Sequence, residues 1–88
     1  MSKTKRPTPV ELKQAHVVLS RERPAPEDGP DVWLAYYRRS AAVYAEVAEI
    51  DRWHHHEALY WSAREARKAR EIEDHLRKST QGGANRDA

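Results

Sequence analysis

Eighty-eight residues with no cysteine, 39% hydrophobic and 34% charged, allow one small domain with a thin core and exclude disulfides, thiol chemistry and cysteine-ligated zinc. A net charge of +2, left over from 16 basic and 14 acidic residues, lacks the one-sided basic excess typical of nucleic-acid binders. No run of about 18 apolar residues is present to span a bilayer, and the basic start "MSKTKRPTPV" has no apolar segment behind it, so a cytoplasmic protein is expected.

Residues 1–7 read as a flexible basic arm, since nothing apolar anchors them. "TPVE" then predicts a helix start, with Thr8 as N-cap, Pro9 at the first helical position and Glu11 as the acid of a capping box. Leu12, Ala15, His16 and Leu19 follow at helical spacing and give an apolar stripe that contains a histidine. "PAPEDGP" ends this helix near Arg23, so its span is about 8–23.

From Asp31 to Gln81 there is neither glycine nor proline, and Ala, Arg, Glu and Leu dominate, which predicts helix over residues 31–79. A single rod of that length would extend about 73 Å, far more than the first helix can cover. A hairpin is therefore preferred, with helices at about 31–50 and 54–79. Ile50, Asp51, Trp53, His54, His55 and His56 are weak helix formers grouped where the turn must fall, and Asp51 is placed to cap the second arm. The alternative is one long helix pairing with a second copy of the chain in a dimer. Residues 80–88, "TQGGANRDA", read as a disordered tail beyond a single helical domain of residues 8–79. The fold class is all-α, a short N-terminal helix followed by a long helical hairpin.

All seven aromatic residues lie between positions 33 and 61: Trp33, Tyr36, Tyr37, Tyr44, Trp53, Tyr60 and Trp61. At 100° per residue Trp33, Tyr37, Tyr44 and Val47 share one helix face, broadened by Tyr36, Val43 and Ile50, and that face should form the core. Seven rings exceed what one short helix can cover, and Trp and Tyr are enriched in interfaces, so the band is also the candidate interaction surface. In the last helix Ala58, Trp61, Ala69, Ile72 and Leu76 form a narrow packing stripe. Its other faces carry alternating charges, with Arg70–Asp74, Glu73–Arg77 and Asp74–Lys78 one turn apart. Arg64, Arg67, Lys68 and Arg70, helped by Lys3, Lys5 and Arg6, could contact nucleic acid, but Glu65, Glu71, Glu73 and Asp74 interrupt them.

The run "DRWHHHEALYW" offers a metal site, a pH switch or a polar corner. Adjacent helix residues diverge by 100°, so His54, His55 and His56 cannot converge on one ion. Asp51 with His54 or His55 gives the best metal-ligand pair, short of the repeated Glu-x-x-His of a bundle di-metal centre. Three histidines charged together would repel, which predicts a turn that loosens in mild acid. The polar corner is the preferred reading. None of Ser2, Ser20, Ser40, Ser62 or Ser79 sits in a nucleophile elbow, and no glycine-rich phosphate loop occurs. No enzyme activity, cofactor or small-molecule substrate is therefore expected.

Residues 41–72, with "HHHEALYW" at their centre, resemble a family of small, uncharacterised helical proteins encoded by actinomycetes. The resemblance implies a helical fold and transfers no site residues. The expected function is non-enzymatic protein–protein interaction or regulation, the partner being a second copy or another helical protein. The alternatives are a DNA-associated accessory factor and a His/Asp metal-binding protein.

Overall fold

A computed structural model describes residues 9–86, with side chains as far as residue 79. Three α-helices, α1 (Leu12–Glu22), α2 (Pro30–Ile50) and α3 (His55–Arg86), are joined by a short loop and by a single 3-10 turn, Arg52–His54. No strand occurs among the described residues, and none of their helices is long and apolar enough to cross a membrane. Residues 31–79 thus fold back on themselves as a hairpin, not as a rod. The arms are antiparallel: Ala48 is bonded to His55, Ala41 to Ser62 and Arg38 to Glu73. Helix α1 runs back along α2, setting His16 by Tyr44, Leu19 by Tyr36 and Glu22 by Arg39.

The core is what this arrangement encloses. Leu12, Ala15 and Leu19 of α1 meet Val43, Tyr44, Val47 and Ala48 of α2 and Ala58 of α3, with the half-buried Trp61 packed on the cluster. Each enclosed Leu or Val contributes about 1.5–3 kcal/mol of transfer free energy, so a core this small leaves the fold modestly stable. The hairpin seam is narrow because small residues line it. Ser62 Oγ reaches the backbone carbonyl of Ala41 at 2.9 Å, an approach that Ala41, Ala48 and Ala58 leave room for. At the far end Arg38 pairs with Glu73 across the arms. Of the charge pairs expected along α3, Glu73 is thereby taken by α2, while Asp74 turns to Arg77 at 2.6 Å.

Helix α1 starts at Leu12, later than the sequence signals place it. Glu11 is the N-cap residue but its side chain makes no capping bond, Pro9 is buried ahead of the helix, and Thr8 lies outside the described residues. The cap comes from elsewhere in the chain: Asp51 Oδ2 accepts the Leu12 N–H at 3.0 Å, while within the segment Gln14 Oε1 accepts the Val10 N–H at 3.0 Å. A free backbone donor at a helix start needs an acceptor, and here a residue 39 positions away supplies it. Asp51 therefore caps α1, not the second arm of the hairpin as expected from sequence.

Between α1 and α2 the loop is closed by reciprocal bonds. Ala25 N–H donates to Asp28 Oδ2 at 2.9 Å, and Asp28 N–H to Ala25 O at 3.0 Å. Pro30 then opens α2 at a position where its missing N–H costs nothing. The corner between α2 and α3 is made without glycine, because Asp51 turns the chain at φ −91°, ψ 83° and no described residue has a positive φ. Asp51 N–H still bonds Val47 O at 2.7 Å, and His54 N–H closes the 3-10 turn onto Asp51 O at 3.0 Å.

Helix α3 continues to Arg86 instead of ending near residue 79. Gly82 and Gly83 each weaken a helix by about 1 kcal/mol, but unlike proline they leave its hydrogen-bond ladder intact. Residues 1–7, the expected basic arm, and residues 87–88 of the expected tail lie outside the described residues.

Candidate functional site: an exposed corner and a cationic cleft

The aromatic residues, a single band in the sequence, are separated by the fold into three groups. Tyr44 is in the core, stacked against half-buried Trp61 with ring centroids 6.1 Å apart. Trp33, Tyr36 and Tyr37 cluster where the α1–α2 loop meets the start of α2, with centroid separations of 5.5–5.8 Å. Two of their polar atoms have backbone partners: Trp33 Nε1–H donates to Ala25 O at 3.1 Å and the Tyr36 hydroxyl to Leu19 O at 3.0 Å. Trp53 and Tyr60 are the exposed rings, at 94% and 62%, with Tyr60 edge-on to Trp61 at a centroid distance of 5.5 Å.

Trp53 stands out of the 3-10 turn at the closed end of the hairpin. His56 and Tyr60 follow it at three and seven residues, the spacing of one helix face. Ile50, assigned by periodicity to the core face, is instead about half exposed at the same corner, while Val47 and Ala48 of the same last turn of α2 are buried. Val10, just ahead of the α1 start that Asp51 ties down, and Leu59 are also exposed. The corner therefore carries apolar surface rimmed by Glu49, Arg52, His54 and Glu57, charges of both signs.

The histidines of this corner are divided. His54 Nδ1–H donates to Asp51 Oδ2 at 2.8 Å, so that carboxylate oxygen serves both His54 and the start of α1. His55 Nδ1–H donates to Ala48 O at 2.7 Å, occupying a carbonyl at the C-terminal end of α2. His56 packs edge-on against His55 and is exposed. Asp51 and His54 are thus brought together, His55 points to the backbone, and no group of three His, Cys, Asp or Glu side chains among the described residues could hold a metal ion. The Asp51 carboxyl is held below the usual aspartate range, first by the Leu12 N–H and then by His54.

The four cations named as nucleic-acid contacts do not form one surface. Arg64 turns inward, donating to Glu65 at 2.6 Å and lying 5.5 Å over the Trp61 ring. Arg67 leans toward Glu71 at 3.9 Å, Lys68 faces the α1–α2 loop, and Arg70 is exposed. Lys3, Lys5 and Arg6 lie outside the described residues.

Two clefts flank Arg23. The smaller, about 170 Å³, is lined by His16, Tyr44, Trp61, Arg64 and Glu65 among others. Its Tyr44 hydroxyl and His16 Nδ1 are 2.7 Å apart. Burial first, then the Glu65 charge, pushes the Tyr44 phenol up to about 12, so it stays protonated and can donate to that nitrogen. The ring's own proton then sits on Nε2. The larger cleft, about 340 Å³, is lined by Arg23, Trp33, Tyr37, Lys68, Glu71 and Ile72. Sequence reasoning passed over Glu65 because it is charged, yet position 65 fills the gap between Trp61 and Ala69 in the α3 packing stripe. Arg23 had no such signal and Lys68 was singled out only as a nucleic-acid contact, because the two come to one cleft from different elements.

Comparison of the chain with protein-family models, with curated proteins and with solved structures finds no match.

Proposed function

We propose that this chain is a non-enzymatic interaction protein that docks a second copy of itself through the corner formed by Ile50, Trp53 and Tyr60. The observation that carries this reading is the exposure of Trp53, in a chain that satisfies or shelters most of its other rings. An indole in water forfeits a large hydrophobic gain that an interface would recover, and Trp is the residue type most enriched among interface hot spots. A second copy suits the corner because its rim is charged with both signs. About a two-fold axis, Arg52 of one copy can face Glu57 of the other.

Sedimentation velocity over a range of concentrations tests this. The chain is expected to pass from monomer to dimer, and Trp53→Ala to raise the dissociation constant about 30-fold, the effect of a 2 kcal/mol hot spot. Because Trp53 makes little contact within its own chain, the variant should fold as the parent does. A parent chain monomeric at every concentration, or a dimer indifferent to Trp53→Ala, overturns the reading.

A further inference from the structure

We propose that the 340 Å³ cleft between the α1–α2 loop, the start of α2 and the middle of α3 binds a small organic anion carrying a flat ring, with the ring on the Trp33–Tyr37 wall and the anionic group between Arg23 and Lys68. This site is separate from the Trp53 corner, and nothing in the sequence pattern announces it.

The wall is built before any ligand arrives. Trp33 is fixed by its bond to Ala25 O, and its ring plane lies 36° from that of Tyr37 at a centroid distance of 5.7 Å. Ile72 adds apolar lining from α3. A rigid aromatic surface of this kind loses little conformational entropy on binding a flat ring. The volume falls at the lower end of the range of about 300–1,000 Å³ usual for small-molecule sites.

The charge is the second part of the argument. Several acids close to the two cations in sequence have partners of their own. Glu22, adjacent to Arg23, is held by Arg39 in a two-pronged pair at 2.5 and 2.9 Å, and Asp28 Oδ2 accepts the Ala25 N–H. On α3, Glu65 is taken by Arg64 at 2.6 Å, and Glu71, which also lines the cleft, leans to Arg67 at 3.9 Å. Among the described residues neither Arg23 nor Lys68 has a carboxylate at ion-pair distance, although this chain pairs many of its other charges. Arg23 is additionally held 5.1 Å over the Trp33 ring, which fixes its guanidinium at the edge of the cleft. Two positive groups without acid partners beside a pinned aromatic wall match a ring-bearing anion better than a neutral ring or a bare anion.

Titration calorimetry of the full chain with phenyl phosphate, inorganic phosphate and phenol separates the contributions. Phenyl phosphate is expected to bind at least about tenfold more tightly than either of the other two. Arg23→Gln and Lys68→Gln are each expected to weaken it about tenfold, while Arg70→Gln, on an exposed cation outside the cleft, leaves it unchanged. Both cleft substitutions are at the surface of the fold, and circular dichroism of each variant confirms that the helices remain. The proposal is overturned if phenyl phosphate does not bind, if inorganic phosphate binds equally well, or if Arg70→Gln weakens binding as much as the cleft variants do. Trp53→Ala should not alter this titration, so failure of the cleft and failure of the corner remain distinguishable.

Discussion

Replacing Ser40 with alanine should make the protein more stable. The residue is wholly buried in α2, and its hydroxyl is the one buried side-chain polar atom without a hydrogen-bond partner among the described residues. Leaving such a group unpaired costs about 1–3 kcal/mol, and alanine is the better helix former by about 0.5 kcal/mol. Against this stands the small void left by one oxygen, roughly 0.5 kcal/mol by the cavity relation. The net expectation is a gain of about 1–3 kcal/mol, which for a domain of this size, at about 4–8 °C per kcal/mol, raises the melting temperature by at least about 4 °C. In urea the midpoint should rise while the slope m stays constant. Ser62→Ala is the control. It gives up a made bond to Ala41 O worth about 1 kcal/mol against the same propensity gain, so stability should stay within about 0.5 kcal/mol of the parent. If Ser40→Ala is no more stable than the parent, the hydroxyl is bonded in solution, most simply to the Tyr36 carbonyl one turn back, and the reasoning fails.

Leu19→Ala removes the largest fully buried side chain and should cost about 3 kcal/mol. That is a large share of the roughly 4–13 kcal/mol expected for 88 residues, so urea unfolding should show a much earlier midpoint. Ala58→Leu inserts bulk into the narrow α2–α3 seam and should destabilise by at least about 1–3 kcal/mol, read from the same curves. The lowered Asp51 pKa means that its contribution is present above the usual aspartate value and lost as pH falls through the lowered one. Midpoints of the parent should therefore hold between about pH 7 and 5 and fall below about pH 4. Asp51→Asn should be less stable at neutral pH and show a shallower acid fall. An acid fall as steep in that variant as in the parent would dismiss Asp51 as its source.

What the sequence made legible was whatever depends on neighbours along one helix. The α2 stripe of Val43, Tyr44 and Val47, the α3 stripe of Ala58 and Ala69, and the glycine-free run that had to turn near residue 51 all follow from periodicity and propensity. The misses share a cause, contact between residues distant in sequence. Thr8, Pro9 and Glu11 form a plausible local cap, yet the acceptor at Leu12 is Asp51. Glu73 seemed placed for Arg77 and instead crosses to Arg38. The rings looked like one surface because helical angles say nothing about which part of a face another helix will reach. The short α1 covers Tyr44, and nothing among the described residues covers Trp53.

The corner at Asp51 has an evolutionary consequence. Because its backbone stays wholly within the region open to any L-amino acid, no position there is locked to glycine by steric need. Saturation libraries across residues 50–56 should accordingly be permissive for folding to residues other than proline, except at the carboxylate that reaches Leu12. Lineages carrying this shape would be free to rewrite the corner's outward side chains, and with them the choice of associate, without renegotiating the architecture.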